Sequence, residues 1–279
     1  MIRLGALGAG LFFVLALMLG VVQPRDAVAP DPVEEHHKHP QKVEWSFNGP
    51  GNLGIFGTFD RAQLQRGFQV YKEVCSACHS INRVAFRDLA AIGFSPAEIK
   101  ALAAQYEVAS IDDKTGEAAT RKATPADKFP LIYPNEAAAR AAQNGALPPD
   151  LSLITKARED GTNYVHSLLT GYDEAPPKGW TVLDGLYYNP YFASLNIKMP
   201  PPLAADDQVT YADGTKATRD QMAKDVAVFL TWTAEPKLEA RKETGVAAVI
   251  FLLILTLLGY LSYRRVWADV KGPKAVAAE

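Results

Sequence analysis

The sequence predicts an all-α domain with long Pro-rich loops and one small hairpin, carried on a C-terminal transmembrane helix. Three observations lead there. Apolar residues recur at helical spacing in several short stretches, 19 prolines break up the connections between them, and an uncharged apolar run at residues 245–263 stands directly before Arg264 and Arg265. That run holds 19 residues, which at about 1.5 Å per residue matches the roughly 30 Å hydrocarbon core of a bilayer. A buried core helix rarely lacks a polar face over five turns, so a membrane span is the better reading.

At the N-terminus, residues 4–22 form a second apolar run behind Arg3, and Ala27-Val28-Ala29 has the small side chains of a cleavage site. Residues 1–29 are therefore expected to be a signal peptide or an N-terminal membrane segment. Removal is favoured, although the run exceeds the usual apolar region of about 7–15 residues and Pro30 hinders cutting. Residues 30–54 are rich in proline, charge and histidine (His36, His37, His39), which predicts an extended lead-in with little structure of its own. Asp60 reads as an N-cap, and Leu64, Phe68, Tyr71 and Val74 at helical spacing predict a helix running straight into Cys75.

Further helices are expected at 135–142, closed by Asn144 and Gly145, and at 163–170, closed by Gly171. Asp213-Gly214 predicts a turn closing a small hairpin between Val209 and Ala217. Thr218 with Gln221 has the spacing of a capping box, and Met222, Val226, Phe229 and Leu230 supply one apolar stripe of a final helix that Pro236 ends. Residues 237–243 read as a charged hinge. The domain organisation expected is thus 30–243 as the folded domain, 244–263 as the transmembrane helix and 264–279 as the tail.

Charge sets the topology. Residues 30–243 carry 23 Lys and Arg against 28 Asp and Glu, a net of −5, whereas 264–279 carry Arg264, Arg265, Lys271 and Lys274 against Asp269 and Glu279, a net of +2. Basic residues beside a span stay in the cytoplasm, so the domain is expected on the other side, the periplasm of a bacterium with its anchor in the inner membrane. An acidic domain offers no basic face for nucleic acid.

The chain has only two cysteines, and both belong to Cys75-Ser76-Ala77-Cys78-His79. This is C-x-x-C-H, the attachment signature of a c-type haem. Two thiols at that spacing each reach a vinyl group on one edge of the macrocycle, and the adjacent imidazole comes up beneath the iron. A redox dithiol or half a zinc site are the alternatives; the first lacks a thioredoxin-like context and the second needs further ligands. One motif implies one covalently bound haem. For the sixth ligand, Met1 and Met18 lie in the leader and Met222 on the final helix stripe, leaving Met199, which precedes Pro200, Pro201 and Pro202. Prolines stiffen a loop that must hold a thioether towards iron. Met199 as a loop gap-filler, or His166 as the ligand, are the competing readings; His166 reads better as a packed side chain. His/Met ligation leaves no open coordination position, which predicts electron transport rather than chemistry on oxygen. An anchored cytochrome acting alone, or a haem enzyme or gas sensor, are rival functions.

Several further stretches carry a resemblance. They are Arg66-Gly67-Phe68-Gln69-Val70-Tyr71, Gly145-Ala146-Leu147-Pro148-Pro149-Asp150-Leu151-Ser152, Leu168-Leu169-Thr170-Gly171, Asn189-Pro190-Tyr191-Phe192 and Met199-Pro200-Pro201-Pro202-Leu203. With Met199 lying 120 residues after His79 and with the C-terminal anchor, residues 44–271 resemble the cytochrome c1 family, the haem c subunit of quinol:cytochrome c oxidoreductase (cytochrome bc1) complexes. The resemblance implies a class I cytochrome c-like core. It implies that Cys75, Cys78, His79 and Met199 bind the haem, His79 and Met199 as iron ligands, and that Arg158 and Tyr164 contact its propionates. It also implies a respiratory-chain subunit that is not an enzyme by itself, taking electrons from a Rieske iron-sulfur protein and passing them to a cytochrome c. Cytochrome b is the implied neighbour of the span. Some bacterial relatives add a disulfide near the axial Met, for which this chain has no cysteines to spare. Asp112 with Asp113 and Asp206 with Asp207 are candidate acidic patches for a basic acceptor, each also readable as a solvated turn.

Overall fold

A computed structural model describes residues 2–22 and 31–271. The tripeptide Ala27-Val28-Ala29 and the end of the tail lie outside these residues. The chain divides into two compact units, residues 1–36 and 37–279. The first contains helix α1 (Ile2–Val22), apolar throughout, and the short helix α2 (Pro32–His36).

The second unit is built around three helices. Helix α3 (Arg61–Glu73) starts where the Asp60 carboxylate accepts the amides of Ala62 and Gln63 at 2.9 and 3.3 Å, the expected cap. A 3-10 stretch (Phe86–Ile92) and helix α4 (Pro96–Ala103) follow, the latter opened by a reciprocal Ser95/Glu98 capping box. Strands β1 (Glu107–Ile111) and β2 (Ala118–Lys122) pair antiparallel from Glu107 opposite Lys122 to Ile111 opposite Ala118. Helix α5 (Glu136–Ala142) is capped by Asn135, and helix α6 (Gly161–Thr170) begins two residues earlier than expected. Strands β3 (Tyr187–Tyr188) and β4 (Asn196–Ile197) close a second small antiparallel pair. Helices α7 (Arg219–Ala234) and α8 (Leu238–Val266) complete the described chain apart from a short terminal turn.

Helix α7 packs against both α3 and α6. Consequently it is buried on more than one stripe: Ala223, Val226, Ala227, Val228, Phe229, Leu230 and Trp232 are all inaccessible, not only the four residues the spacing picked out. The α3–α7 approach is close because Gly67 has no side chain; a Cβ there would sit 2.1 Å from the Asp225 carbonyl oxygen. Phe68 of α3 meets Phe229 of α7 edge-on at 5.6 Å, and Phe94 and Phe129 complete the aromatic core. A buried ion pair locks the same crossing, with Arg66 Nε donating to Asp225 Oδ2 at 3.0 Å and Nη1 to Asp213 Oδ2 at 2.7 Å.

Three expectations are corrected. The strands lie at 107–122 and 187–197 rather than between Val209 and Ala217, where Asp213-Gly214 makes a turn but the flanks share only the Asp207 N–H to Ala217 O bond. Arg66 and the buried ring of Tyr211 hold those flanks apart from a ladder. The lead-in is not structureless: Trp45 and Phe47 are buried, and Trp45 Nε1 donates to Asn163 Oδ1 at 2.8 Å. Residues 237–243 are no hinge but the first turns of α8, docked on the domain through Leu238, Glu239 and Lys242. From Val249 onwards the large apolar side chains of α8 stand exposed, as a helix surrounded by lipid requires.

Candidate functional site

The five residues of the attachment motif follow α3 without a break. Val74 ends the helix, a 3-10 turn (Cys75–Ala77) begins, and the amides of Cys78 and His79 both donate to the Cys75 carbonyl, at 3.1 and 2.9 Å. This tight turn brings both thiols and the imidazole off one short piece of backbone. Tyr71, buried one turn earlier, donates its hydroxyl to the His79 carbonyl at 3.0 Å, so the core itself clamps the motif.

His79 is then oriented by its ring. Its Nδ1 lies 2.8 Å from the Pro149 carbonyl oxygen, a bond that requires the proton on Nδ1 and leaves the Nε2 lone pair for a metal. Desolvation holds the His79 imidazole below its usual pKa, which favours the neutral form a ligand must have. Burial, helped by neighbouring Cys78, pushes the Cys75 thiol up to about 12. A redox dithiol needs the opposite, a stabilised thiolate, so the environment disfavours that reading. Among the described residues no group of three or more His, Cys, Asp and Glu is placed to hold a metal, which leaves the zinc reading without ligands.

One loop joins this turn to the methionine. At its start Gln143 Nε2 donates to Cys78 Sγ at 3.5 Å and to Tyr133 Oη at 2.7 Å. Next, the Asn144 carbonyl accepts Lys198 Nζ at 3.0 Å, immediately before Met199. Pro149 holds His79, Asp150 accepts the Asn82 amide at 2.8 Å, and the Leu151 amide donates to Ser80 O at 2.8 Å. Met199 itself is half-buried, and its carbonyl accepts the Tyr172 hydroxyl at 3.0 Å. Behind it, Gln208 straps the proline run by donating to Pro202 O at 3.0 Å and accepting the Ala204 amide at 2.9 Å.

Arg158 and Tyr164 are brought together, the guanidinium carbon 6.0 Å from the ring centre, with Arg158 exposed and Tyr164 half-buried. His166 is 3% exposed, its Nε2 lies 2.8 Å from Asp220 Oδ1 across the α6–α7 contact and its Nδ1 is buried without a hydrogen-bond partner among the described residues, the setting of a packed side chain. Met222 is fully buried in the core. Asp112 accepts the amides of Lys114 and Thr115, and Asp206 accepts that of Arg219; each pair includes a turn or cap with a structural task.

The residues present fit a c-type haem by their donor chemistry: two thiols on one turn, a neutral imidazole with a free Nε2, and a thioether on a loop linked to both. The stretches that carry Tyr133, Pro149 and Asp150 also hold exposed apolar side chains, namely Leu131, Ile132, Leu147 and Leu153. A flat apolar group would cover such residues. Sequence reasoning missed Tyr71, Gln143 and Tyr172, and missed that Pro149 acts through its carbonyl. The run Gly145 to Ser152 had been singled out only as a point of resemblance.

The sequence profile of the Cytochrome C1 family matches residues 45–270. The chain is 48% identical to cytochrome c1 of Rhodospirillum rubrum, over 82% of this chain and 88% of that protein. It is also 48% identical to the mitochondrial cytochrome c1 heme protein of Saccharomyces cerevisiae, over 87% of this chain and 76% of the yeast protein. A third relative, cytochrome b/c1 of Bradyrhizobium diazoefficiens, is 46% identical over 91% of this chain, which spans only 38% of that longer protein.

Proposed function

This chain belongs to the cytochrome c1 family, and from that premise we propose that it is the electron-transfer subunit of a quinol:cytochrome c oxidoreductase, a cytochrome bc1 complex. It is not an enzyme by itself. When bound, haem c would supply one-electron transfer, and an iron held by two protein ligands would offer no site for oxygen.

The chain's own residues do the rest. Cys75 and Cys78 would hold the haem through thioether bonds, and His79, oriented by Pro149, and Met199 would ligate its iron. Arg158 and Tyr164, side by side, suit the two carboxylates of a propionate edge, which need charge-assisted and phenolic donors. The observation that carries the reading is the single loop whose Gln143, Asn144 and Pro149 contact Cys78, Lys198 and His79. It ties the segment carrying His79 to the one carrying Met199, which supports the reading that both would hold one haem.

In this reading the subunit accepts electrons from a Rieske iron-sulfur protein and passes them to a cytochrome c, and cytochrome b lies beside α8. The Bradyrhizobium relative, whose name couples b and c1, supports that neighbour. Arg264 and Arg265 after the apolar run support a haem domain on the periplasmic face of a bacterial inner membrane.

The test is quinol-driven reduction of the c-haem in a mild-detergent preparation isolated through this chain, with b-haem content measured alongside. Co-purifying b-haems and rapid reduction are expected. An intact c-haem that comes down alone and stays oxidised would overturn the assignment in favour of an independent anchored cytochrome.

A further inference from the structure

No charged residue occurs between Glu44 and Asp60, and the middle of that stretch, Leu53-Gly54-Ile55-Phe56, is apolar. In a folded domain these side chains should be inside. Instead Leu53 and Phe56 are each 75% exposed and Ile55 is 47% exposed.

The segment is a closed loop rather than a loose one. At its neck Gly57 passes so near the chain that a Cβ would lie 2.2 Å from the Phe47 carbonyl and from the Gly49 amide nitrogen. The rings of Phe47 and Phe59 meet beneath at 5.2 Å. Inside, the Gly54 amide donates to Asn48 O at 2.8 Å and that of Asn52 to Gly49 O at 3.1 Å. Such a loop holds its tip in place without a core of its own.

Its position is set by α8. Lys242 Nζ donates to the Phe47 carbonyl, and the Glu239 carboxylate accepts the Phe59 amide at 2.7 Å and Arg61 Nη2 at 2.7 Å. The loop neck is therefore bolted to the first turns of the anchor helix. The uncharged run of that helix opens at Gly245, three residues beyond Lys242, or about 4.5 Å along the axis. The polar layer on each side of the hydrocarbon core is roughly 5–8 Å deep. A hydrocarbon core that begins at Gly245 would put the neck at headgroup level.

We propose that Leu53, Ile55 and Phe56 insert into the outer lipid interface beside α8, as a second membrane contact that fixes the tilt of the domain on its anchor. An uncharged apolar tip at that depth finds acyl chains and glycerol rather than bulk water, and shielding three such side chains favours insertion. The inference goes beyond electron transfer and rests on α8 spanning the membrane.

In the haem-loaded chain Cys75 and Cys78 are consumed by attachment, so an introduced cysteine is the one free thiol for a nitroxide. Phe56→Cys and, separately, Leu53→Cys would be labelled in the full chain in phosphatidylcholine/phosphatidylglycerol vesicles. Collisions with lipid-soluble oxygen and with a water-soluble nickel chelate are then compared. Leu253→Cys in α8 and Lys114→Cys in the β1–β2 turn serve as lipid and water references. The expected oxygen-to-nickel ratio at residues 53 and 56 is on the order of tenfold above that at residue 114. A ratio equal to that at 114, with 253 lipid-exposed, overturns the proposal. So does exclusion of nickel that arises only when the other subunits of the complex are present, which would make the cover a protein. A water-exposed label at 253 overturns the membrane span and the proposal with it.

Discussion

On the side carrying Cys75, Cys78 and His79, the turn is held by the core, since α3 leads into it and buried Tyr71 holds the His79 carbonyl, and only the ring is oriented by a loop, through the Pro149 carbonyl. On the Met199 side there is no regular element beyond the two-residue strand β4. A phenol and a glutamine reach in to the Met199 and Pro202 carbonyls of a proline-stiffened loop, and Lys198 beside the methionine reaches out to the Asn144 carbonyl. The difference teaches where assembly and tuning reside. Attachment needs geometry that survives fluctuation and so borrows it from helix packing, whereas a thioether held by a few side-chain bonds can be adjusted without disturbing the fold.

The comparison breaks most directly at the ligand itself. Met199→Leu should leave covalent haem in place but lower its reduction potential by a sizeable part of the ~0.8 V range that axial ligands control. Each 0.1 V is worth about 2.3 kcal/mol per electron. Redox titration with a pyridine-type haem assay reads both quantities, and an unchanged potential would show that Met199 is not the ligand. On the other side, Gly67→Ala puts a methyl group 2.1 Å from a backbone oxygen of α7. Overpacking of that kind costs about 1–3 kcal/mol. The thermal midpoint should fall while the potential of the surviving protein holds; a shift in potential with no loss of stability would mean that the core does not underwrite the attachment turn.

The same division explains what the sequence made legible. Asp60 and Thr218 are legible as caps because a cap is a local bond between a side chain and amides two or three residues on, although the Gln221 half of the expected box turns to Asp225 instead and Asn135, expected as the first helical residue, is itself a cap. C-x-x-C-H and Met199 stand out in the sequence because the chemistry proposed for them lies in the residue type. The hairpin expected at Asp213-Gly214 failed for a non-local reason. Its turn forms, with Thr215 N–H donating to Asp213 Oδ1 at 3.0 Å, but Asp213 also answers Arg66 from α3 and the ladder gives way to that tertiary pair. The supposed hinge failed likewise: Glu239 and Lys242 look like linker charges until their partners at Phe59, Arg61 and Phe47 are seen, 178 to 195 residues away. Pro149 was beyond side-chain reasoning altogether, since its contribution is a backbone oxygen.

Smaller effects sharpen the contrast within the methionine loop. Tyr172→Phe removes one hydroxyl that donates to the Met199 carbonyl and leaves the ring in its half-buried place. A bond of this kind is worth about 0.5–1.5 kcal/mol. Its loss should appear in the stability of Met ligation, measured as the alkaline pH or denaturant concentration at which the Met-to-iron charge-transfer band disappears, while global unfolding hardly moves. If ligation and global unfolding shifted together, the loop would be part of the core and the distinction between the two sides would fall.

Lys198→Ala is the mildest test, because the ammonium is exposed and its bond to Asn144 O competes with water. Surface substitutions of this type stay within about 0.5 kcal/mol. The expected outcome is a small weakening of Met ligation and none in haem attachment. Lys198 touches the loop that also carries Pro149, so a measurable change in the His79 environment, seen as a shift of its ring resonances in the reduced protein, would mean that the two sides communicate through residues 144–149. The hydrogen-bond pattern argues that they do not: between Asn144 and Pro149 the loop carries two consecutive prolines, Pro148 and Pro149, and is pinned beyond them by Asp150 and Leu151 to the backbone of Asn82 and Ser80. Those two bonds hold the chain just past Pro149 independently of Asn144, so a small displacement at Asn144 should leave the carbonyl that orients the imidazole in place.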